Sequence, residues 1–333
     1  MATGSETQES NTSPELPTEL PYDFLKTITD NFADERKISA SPFGTVYKGV
    51  VPDADRVIAV KKLHEDAPIP AGKTFSKEVH HVLPLRHENI VQLVGFCNEA
   101  TKKLVQMEGR YIQADIAECL LCYEYLPNGS LDHYLFGSKA SDQDSSSGKP
   151  AGISWDTRFT IIEGICQGIL FLHDLDIPII HMDLKPENIW LGESIMPKIG
   201  NFELSVSLDR EQTKIHTQDV VGSYGYMAPE YLHGGEISAK SDIYSLGLLI
   251  MEITTGEKNS PKNEQPSARG YIDKICEEWT LEHISSIYSS LDLDGLHQVK
   301  TCLELSLECV ETDPAKRPSI DNIVNKLNKR RAS

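Results

Sequence analysis

Residues 241–254 read SDIYSLGLLIMEIT, and apolar side chains fall nearly all round a helix drawn through them. A surface helix keeps one polar face, whereas a helix without one must be enclosed on every side. The chain therefore has to build a lobe thick enough to surround this segment. Its neighbours supply the material. Residues 156–173 (DTRFTIIEGICQGILFLH) carry apolar positions at helical spacing, with Asp156 available as an N-cap. Further amphipathic stretches follow and end in a basic run at 326–331.

Upstream the period changes. Thr45-Val46-Tyr47 and Val57-Ile58-Ala59-Val60 are β-branched runs around a turn-rich Pro52-Asp53-Ala54-Asp55, which predicts antiparallel strands. Strands are expected again at 90–96 and 120–125. A helix is expected through Phe75, Val79, Val82 and Leu83, and a short one begins near Tyr22. A strand-rich first third and a helical remainder make an α+β plan with two lobes, and the crevice between lobes is the default ligand site. The expected divisions are a disordered tail at 1–20, an N-lobe at 21–125, a C-lobe at 126–328 and a basic tail at 329–333. Within the N-lobe, 101–118 (TKKLVQMEGRYIQADIAE) is long for a hairpin connection and reads as an inserted loop, either a surface elaboration or a partner surface. Residues 137–153 are Ser/Gly/Asp-rich and read as a mobile loop.

Composition narrows the function classes. The net charge of −18 argues against nucleic-acid or anionic-membrane binding, since both need a basic face. Seven cysteines lie without a disulfide-like framework, and with no signal-peptide pattern this favours a reducing, cytoplasmic setting. Cys119-Leu120-Leu121-Cys122 sits in an apolar run and reads as buried thiols. No apolar run approaches the roughly 18 residues of a membrane span, and Ala2 fails the N-myristoylation rule. No intrinsic membrane anchor is expected, so any plasma-membrane location would come through a partner.

Several short motifs occur in a fixed order. Phe43-Gly44-Thr45-Val46-Tyr47-Lys48-Gly49 ends a phosphate-covering loop, Ala59-Val60-Lys61 supplies a strand lysine, and Glu78 lies on the next helix. His181-Met182-Asp183-Leu184-Lys185-Pro186-Glu187-Asn188 forms a catalytic-type loop. Asn201-Phe202-Glu203 and Met227-Ala228-Pro229-Glu230 follow. The set resembles the protein-kinase signature. It is closest to plant receptor-like serine/threonine kinases in cytoplasmic form, on YEYLPNGSLDHYLF at 123–136 and GSYGYMAPEYL at 222–232.

The resemblance implies a two-lobed kinase fold, with an antiparallel sheet and one helix in the N-lobe and a mainly helical C-lobe. It implies nucleotide contacts from Ser39, Ser41, Gly44, Val46, Ala59, Lys61, Glu78, Tyr123, Glu124, Leu126 and Trp190. Lys61 would hold phosphates and pair with Glu78. Asp183 would be the base, Lys185 would serve the phosphate, and Asn188 and Asn201 would hold the metal. Asp242 would brace the catalytic loop and Arg317 would pair with Glu230.

The chain also departs from that pattern where nucleotide is handled. Ser39 and Ser41 replace loop glycines that let backbone approach phosphate, and Pro42 removes a backbone N–H. Trp190 stands where a leucine-sized residue forms the floor under adenine. Asn201 replaces the aspartate that coordinates Mg²⁺, an ion that prefers anionic oxygen, and Glu203 replaces a glycine. Met182 replaces an arginine that pairs with a phosphorylated activation segment. In that segment Thr213, Thr217 and Ser223 are candidates for phosphorylation by an upstream kinase.

Two main readings follow. One is a pseudokinase, a signalling interaction or regulatory module that uses no cofactor. The other is a slow or metal-atypical serine/threonine kinase using ATP and Mg²⁺. A silent duplicate is the third. The expected partners are signalling proteins, receptor kinases or their substrates.

Overall fold

The computed structural model describes residues 18–52, 56–107, 109–137, 153–209, 211–260 and 267–331. The expected tail before residue 18, the turn residues 53–55, most of the expected mobile loop (138–152) and residues 332–333 lie outside these. By contacts the chain forms two compact units, residues 1–72 with 93–124, and residues 73–92 with 125–333.

The first unit is built on a six-stranded sheet. Its strands are β1 (Thr18–Glu19), β2 (Lys37–Ala40), β3 (Gly44–Val51), β4 (Arg56–Leu63), β5 (Leu93–Met107) and β6 (Arg110–Glu124), in the order β1-β5-β6-β4-β3-β2. All neighbours are antiparallel except β1 and β5, which run parallel with Thr18 opposite Gly95 and Glu19 opposite Phe96. Residues 18–19, expected in the disordered tail, are thus an edge strand, because the open β5 backbone offers them a ladder. Among the described residues one α-helix, α1 (Tyr22–Ile28), lies wholly in this unit. Its Leu25 and Ile28 pack on Ile58, Val60, Cys97, Leu120 and Cys122. Strand alternation then puts Val46, Ala59, Lys61 and Tyr123 on the opposite face. Burial pushes the Cys122 thiol far up, and Cys97 up to about 11, so these are packing thiols.

The inserted loop expected at 101–118 is itself β-structure. Pairing of β5 with β6 continues without interruption from Asn98 and Cys119 out to Met107 and Arg110. The segment has its one glycine, Gly109 at φ 77°, near its midpoint, and alternates Tyr111, Gln113 and Asp115 with Ile112, Ala114 and Ile116, so its backbone satisfies itself most simply as a ladder closed by a turn.

The second unit is mainly helical. It holds α2 (Ala71–Val82, from residue 73), α3 (Leu131–Phe136), α4 (Trp155–His173), α5 (Pro229–Gly234), α6 (Ala239–Thr255), α7 (Arg269–Glu278), α8 (Leu281–Ile287), α9 (Leu293–Cys309) and α10 (Ile320–Arg331). Short strand pairs join β7 (Ile179–Ile180) to β10 (Val206–Ser207), β8 (Ile189–Leu191) to β9 (Pro197–Ile199), and β11 (Lys214–His216) to β12 (Glu236–Ser238). The all-round apolar segment is α6, buried at every residue from Ser241 to Thr255. Two boundaries differ from expectation. The N-cap of α4 is Ser154, whose Oγ accepts from Thr157 N at 3.3 Å, while Asp156 lies in the first turn. The basic tail expected from 329 is helical to Arg331, since Ile323, Val324 and Leu327 bury one face of α10 and carry its last turn with them.

Candidate functional site

In the first unit, β-register brings four expected residues together. Val46 is directly opposite Lys61, and Ala59 is opposite Tyr123, so all four share the face away from α1. Ser39 stands opposite Val46. Glu124 alternates to the other face at the strand end. Lys61 is buried. A side chain at Gly44 would strike Lys62 O at 2.7 Å, so only glycine fits there.

The turn between β2 and β3 is closed upon itself. Ser41 N donates to Gly44 O at 2.8 Å and Gly44 N donates to Ser41 O at 3.3 Å. Phe43 N donates to the Ser41 hydroxyl at 3.2 Å. Position 42 is proline and has no N–H. Every backbone N–H from 41 to 44 is therefore bonded inside the loop or missing. The serine that replaces glycine supplies the acceptor that occupies Phe43, a local turn device favoured for serine.

In the second unit, α6 positions the catalytic-type loop. A capping box of Ser238 and Ser241 fixes the start of α6 and puts Asp242 in its first turn. Asp242 is fully buried and accepts from His181 N at 2.8 Å and from Met182 N at 2.9 Å. Its Oδ2 also lies 2.9 Å from His173 Nε2. These bonds hold Met182 at φ 69°, a conformation that costs a non-glycine residue energy and survives only when its surroundings enforce it. His181 Nδ1 accepts from Asp183 N at 3.3 Å, so its Nε2 carries the proton and donates to Gly200 O at 2.9 Å. The Met182 side chain is buried in an apolar cluster with Ile180, Leu208, Tyr226 and Met227. The segment after Asn201 is thus fastened by packing at the place where the resemblance has a phosphate-binding arginine.

The expected base and metal residues form one network. Asn188 Nδ2 donates to Asp183 O at 2.6 Å and to Asp183 Oδ2 at 2.8 Å. Both targets are acceptors, which fixes the amide with Oδ1 facing the other way. That oxygen accepts from Asn201 Nδ2 at 2.6 Å. Asn201 sits at φ 61°, which asparagine tolerates better than most residues. The two residues expected to hold a metal are therefore bonded to each other. An N–H points at the oxygen that a cation would need, so as they stand they do not fit a divalent ion.

The other Asp183 oxygen is also engaged. Ser223 Oγ donates to Asp183 Oδ1 at 2.7 Å and accepts from Lys185 Nζ at 2.5 Å, while Lys185 Nζ is 3.3 Å from Asp183 Oδ2. Ser223, an expected phosphorylation site, is thereby an internal brace, because its hydroxyl is committed to two partners. Thr213 is exposed, and Thr217 Oγ1 closes a turn with Asp219. No pattern in the sequence signals the brace, since 38 residues separate Lys185 from Ser223.

Trp190 is on the face of the β8–β9 hairpin opposite buried Ile189 and Leu191. Its indole edge fills the space beside Gly200, where a Cβ would be 3.1 Å from Trp190 Cδ1. The turn carrying Leu126 is bonded to the same strand, through Asn128 N to Leu191 O and Leu191 N to Gly129 O. Phe202 is buried edge-on to His181, with ring centroids 5.0 Å apart. Glu203 and Glu78 are buried too.

Helix α2 is tied to this segment by a contact that sequence reading missed. Ser205 Oγ donates to Phe202 O at 2.7 Å, so the His81 Nδ1–H donates to Ser205 Oγ at 2.7 Å. Burial, with help from His80 and Lys77, pushes His81 down to about 4, which keeps this ring neutral. Arg317 meets Glu230 as expected, with two 2.7 Å bonds and the guanidinium 5.0 Å from the Tyr244 ring centroid.

Among the described residues no helix is long and apolar enough to cross a membrane. A family model described as the protein kinase domain matches residues 32–327. The chain is 36% identical over 308 residues to cysteine-rich receptor-like protein kinase 37 of Arabidopsis thaliana, covering 90% of this chain and 43% of that protein. It is 37% identical over 302 residues to cysteine-rich receptor-like protein kinase 6 of rice (Oryza sativa subsp. japonica), covering 90% and 40%. It is 36% identical over 318 residues to the Arabidopsis G-type lectin S-receptor-like serine/threonine-protein kinase SRK, covering 92% and 34%. The chain spans less than half the length of each.

Proposed function

The chain belongs to the protein kinase family, and on that premise we propose that it is a receptor-like serine/threonine kinase domain impaired in phosphotransfer, serving as a regulatory or interaction module in signalling. The observation that carries this reading is the bond from Asn201 Nδ2 to Asn188 Oδ1. Kinase chemistry depends on metal ions that neutralise charge developing on the transferred phosphoryl group. Here an amide N–H takes the direction from which a cation would approach. An asparagine also adds no negative charge, although Mg²⁺ favours anionic oxygen. A loss of about 4 kcal/mol in metal stabilisation corresponds to roughly 10³ in rate.

Two further features support the reading. The β2–β3 turn keeps its N–H groups for itself, which removes the donors that a phosphate-covering loop offers. Trp190 puts an indole at the position expected to floor the adenine site. An N-lobe at 21–125 and a C-lobe from 126 go with this proposal, as do receptor kinases or their substrates as partners and a cytoplasmic location.

A second reading is favoured by the state of Asp183. Its carboxylate is oriented by Asn188, Ser223 and Lys185, as a working base requires. This supports a slow or metal-atypical kinase that transfers the γ-phosphate of ATP to serine or threonine hydroxyls. Thermal-shift titration with ATP, with and without Mg²⁺ or Mn²⁺, and a phosphotransfer assay against an Asp183→Asn control separate the two. The impaired-kinase reading expects no metal-dependent shift and equal background in both proteins. Turnover that disappears only in D183N favours the second.

A further inference from the structure

The outer half of the β5–β6 hairpin is a two-stranded ribbon with open edges. β6 pairs with β4 only from Leu120 onward, and β5 pairs with β1 only at Gly95 and Phe96. Beyond those points each strand has only the other as a ladder partner among the described residues. The ribbon also carries exposed apolar groups, with Leu104 73% and Tyr111 72% exposed on one face and Ile112 exposed on the other. Open, apolar strand edges are a liability that folded proteins cover or charge.

Charge suggests what covers this one. Lys102, Lys103 and Arg110 balance Glu108, Asp115 and Glu118, so residues 101–118 carry no net charge in a chain of net charge −18. Two copies repel each other over most of their surfaces and are spared repulsion at this arm.

Strand register then selects an arrangement. Met107 and Arg110 form the last pair before the turn. The closing pair of a two-residue hairpin is hydrogen-bonded, and bonded and non-bonded pairs alternate from there. Arg110, Ile112, Ala114 and Ile116 therefore turn their backbone groups towards β5, while Tyr111, Gln113, Asp115 and Ala117 present theirs at the free edge. Antiparallel pairing of two β6 edges about a two-fold axis at Ala114 joins Gln113 to Asp115 and Tyr111 to Ala117 in bonded pairs. On one face it sets Ile112 against Ile116 twice and Ala114 against Ala114, while Glu118 at the end of the arm is buried and paired within its own chain with Lys62. Shifting the axis to Gln113 puts Arg110 opposite Ile116, and shifting it to Asp115 puts two aspartates opposite each other. Only the axis at Ala114 matches apolar to apolar without like charges opposed.

We propose that this chain self-associates through its β6 edge, two copies forming a four-stranded ribbon with the two-fold axis at Ala114. A contact of about nine residues per copy is far below a standard interface, so the association is weak, with Kd on the order of 10 µM or above.

The test uses the full chain carrying Cys276→Ser, which removes an exposed thiol. Sedimentation equilibrium should report a monomer–dimer equilibrium. Ala114→Cys should give a disulfide dimer under mild oxidation, because a non-bonded pair brings the two Cα atoms to about 4.5 Å. Gln113→Cys should cross-link far less. Ile112→Lys should weaken dimerisation roughly tenfold with an unchanged melting temperature. Hydrogen exchange should slow with concentration at Tyr111, Gln113, Asp115 and Ala117. A chain that stays monomeric at about 100 µM, with no cross-link from the Ala114→Cys variant, overturns the proposal and leaves the edge to a strand of another protein. A dimer unaffected by I112K, or cross-linked equally through position 113, also overturns it.

Discussion

Replacing Asn201 by aspartate puts a carboxylate oxygen where Nδ2 now donates, 2.6 Å from Asn188 Oδ1. Asn188 cannot turn to meet it, because its Nδ2 is held by Asp183 O and Oδ2. Two acceptors then face each other in a partly buried site. The lost bond costs about 1 kcal/mol and the unpaired acceptor roughly 1–2 more, so N201D is expected to be less stable by about 2–3 kcal/mol without divalent ions. For a domain of this size 1 kcal/mol moves Tm by roughly 2–4 °C, which predicts a fall of about 4–12 °C in EDTA. The same change creates the anionic oxygen that Mg²⁺ favours. At about 100 times its Kd, linkage returns some 2.7 kcal/mol, enough to cancel the deficit. Differential scanning fluorimetry across a Mg²⁺ titration measures both halves. The unsubstituted chain should show no Mg²⁺ dependence. Asn201→Leu should lose stability without recovering it, because it removes the donor and supplies no ligand. If the unsubstituted chain gains as much from Mg²⁺ as N201D does, the amide pair does not exclude the ion and the reasoning fails.

Trp190 sets a separate barrier. Asn201→Asp with Glu203→Gly is expected to leave phosphotransfer at background, and adding Trp190→Leu should raise ATP-induced stabilisation, measured by thermal shift. Full turnover from the first pair alone would remove the steric part of the account. Arg317→Met leaves Glu230 without its bidentate partner and should cost about 3–5 kcal/mol, read by urea denaturation, whereas a change under 1 kcal/mol would make the pair dispensable. Burial raises buried Glu252 from the usual 4.5 to about 8, partly offset by bonds from Asn259 N and Tyr226 Oη. The folded state therefore holds a proton that the unfolded state releases between those values. Its contribution is full below about pH 4.5 and is lost as pH rises through about 8, on the order of 5 kcal/mol. Glu252→Gln should flatten that decline in a pH series of unfolding free energies, and an unchanged slope would show that Glu252 folds ionised.

How much of this was legible in the sequence depended on the kind of information each feature carries. Hydrophobic period announced α6, α4 and the strands β3 and β4, because burial on one face or on all faces leaves a periodic trace. Motif order marked Lys61, Asp183, Asn188 and Asn201, and the substituted residues Ser39, Ser41, Pro42 and Trp190 stood out against it. Local chemistry was less legible. Asp156 and Ser154 are both good caps, and only backbone geometry at 154 chose between them. The 101–118 segment was misread as a loop because its length outweighed its alternation, and residues 18–19 because two residues carry no period at all.

The sequence alone determined that Asn201 lacks a charge and that Met182 cannot bind phosphate, since side-chain chemistry needs no coordinates. The tertiary structure decided what those residues do instead. It turned the Asn201 amide onto Asn188, enclosed Met182 among Ile180, Leu208 and Tyr226, and set Ser223 between Lys185 and Asp183. The first contact spans 13 positions of the chain and the bond from Ser223 to Asp183 spans 40. A hydrogen bond forms between whichever donor and acceptor the packed backbone places face to face, and linear order does not record that proximity.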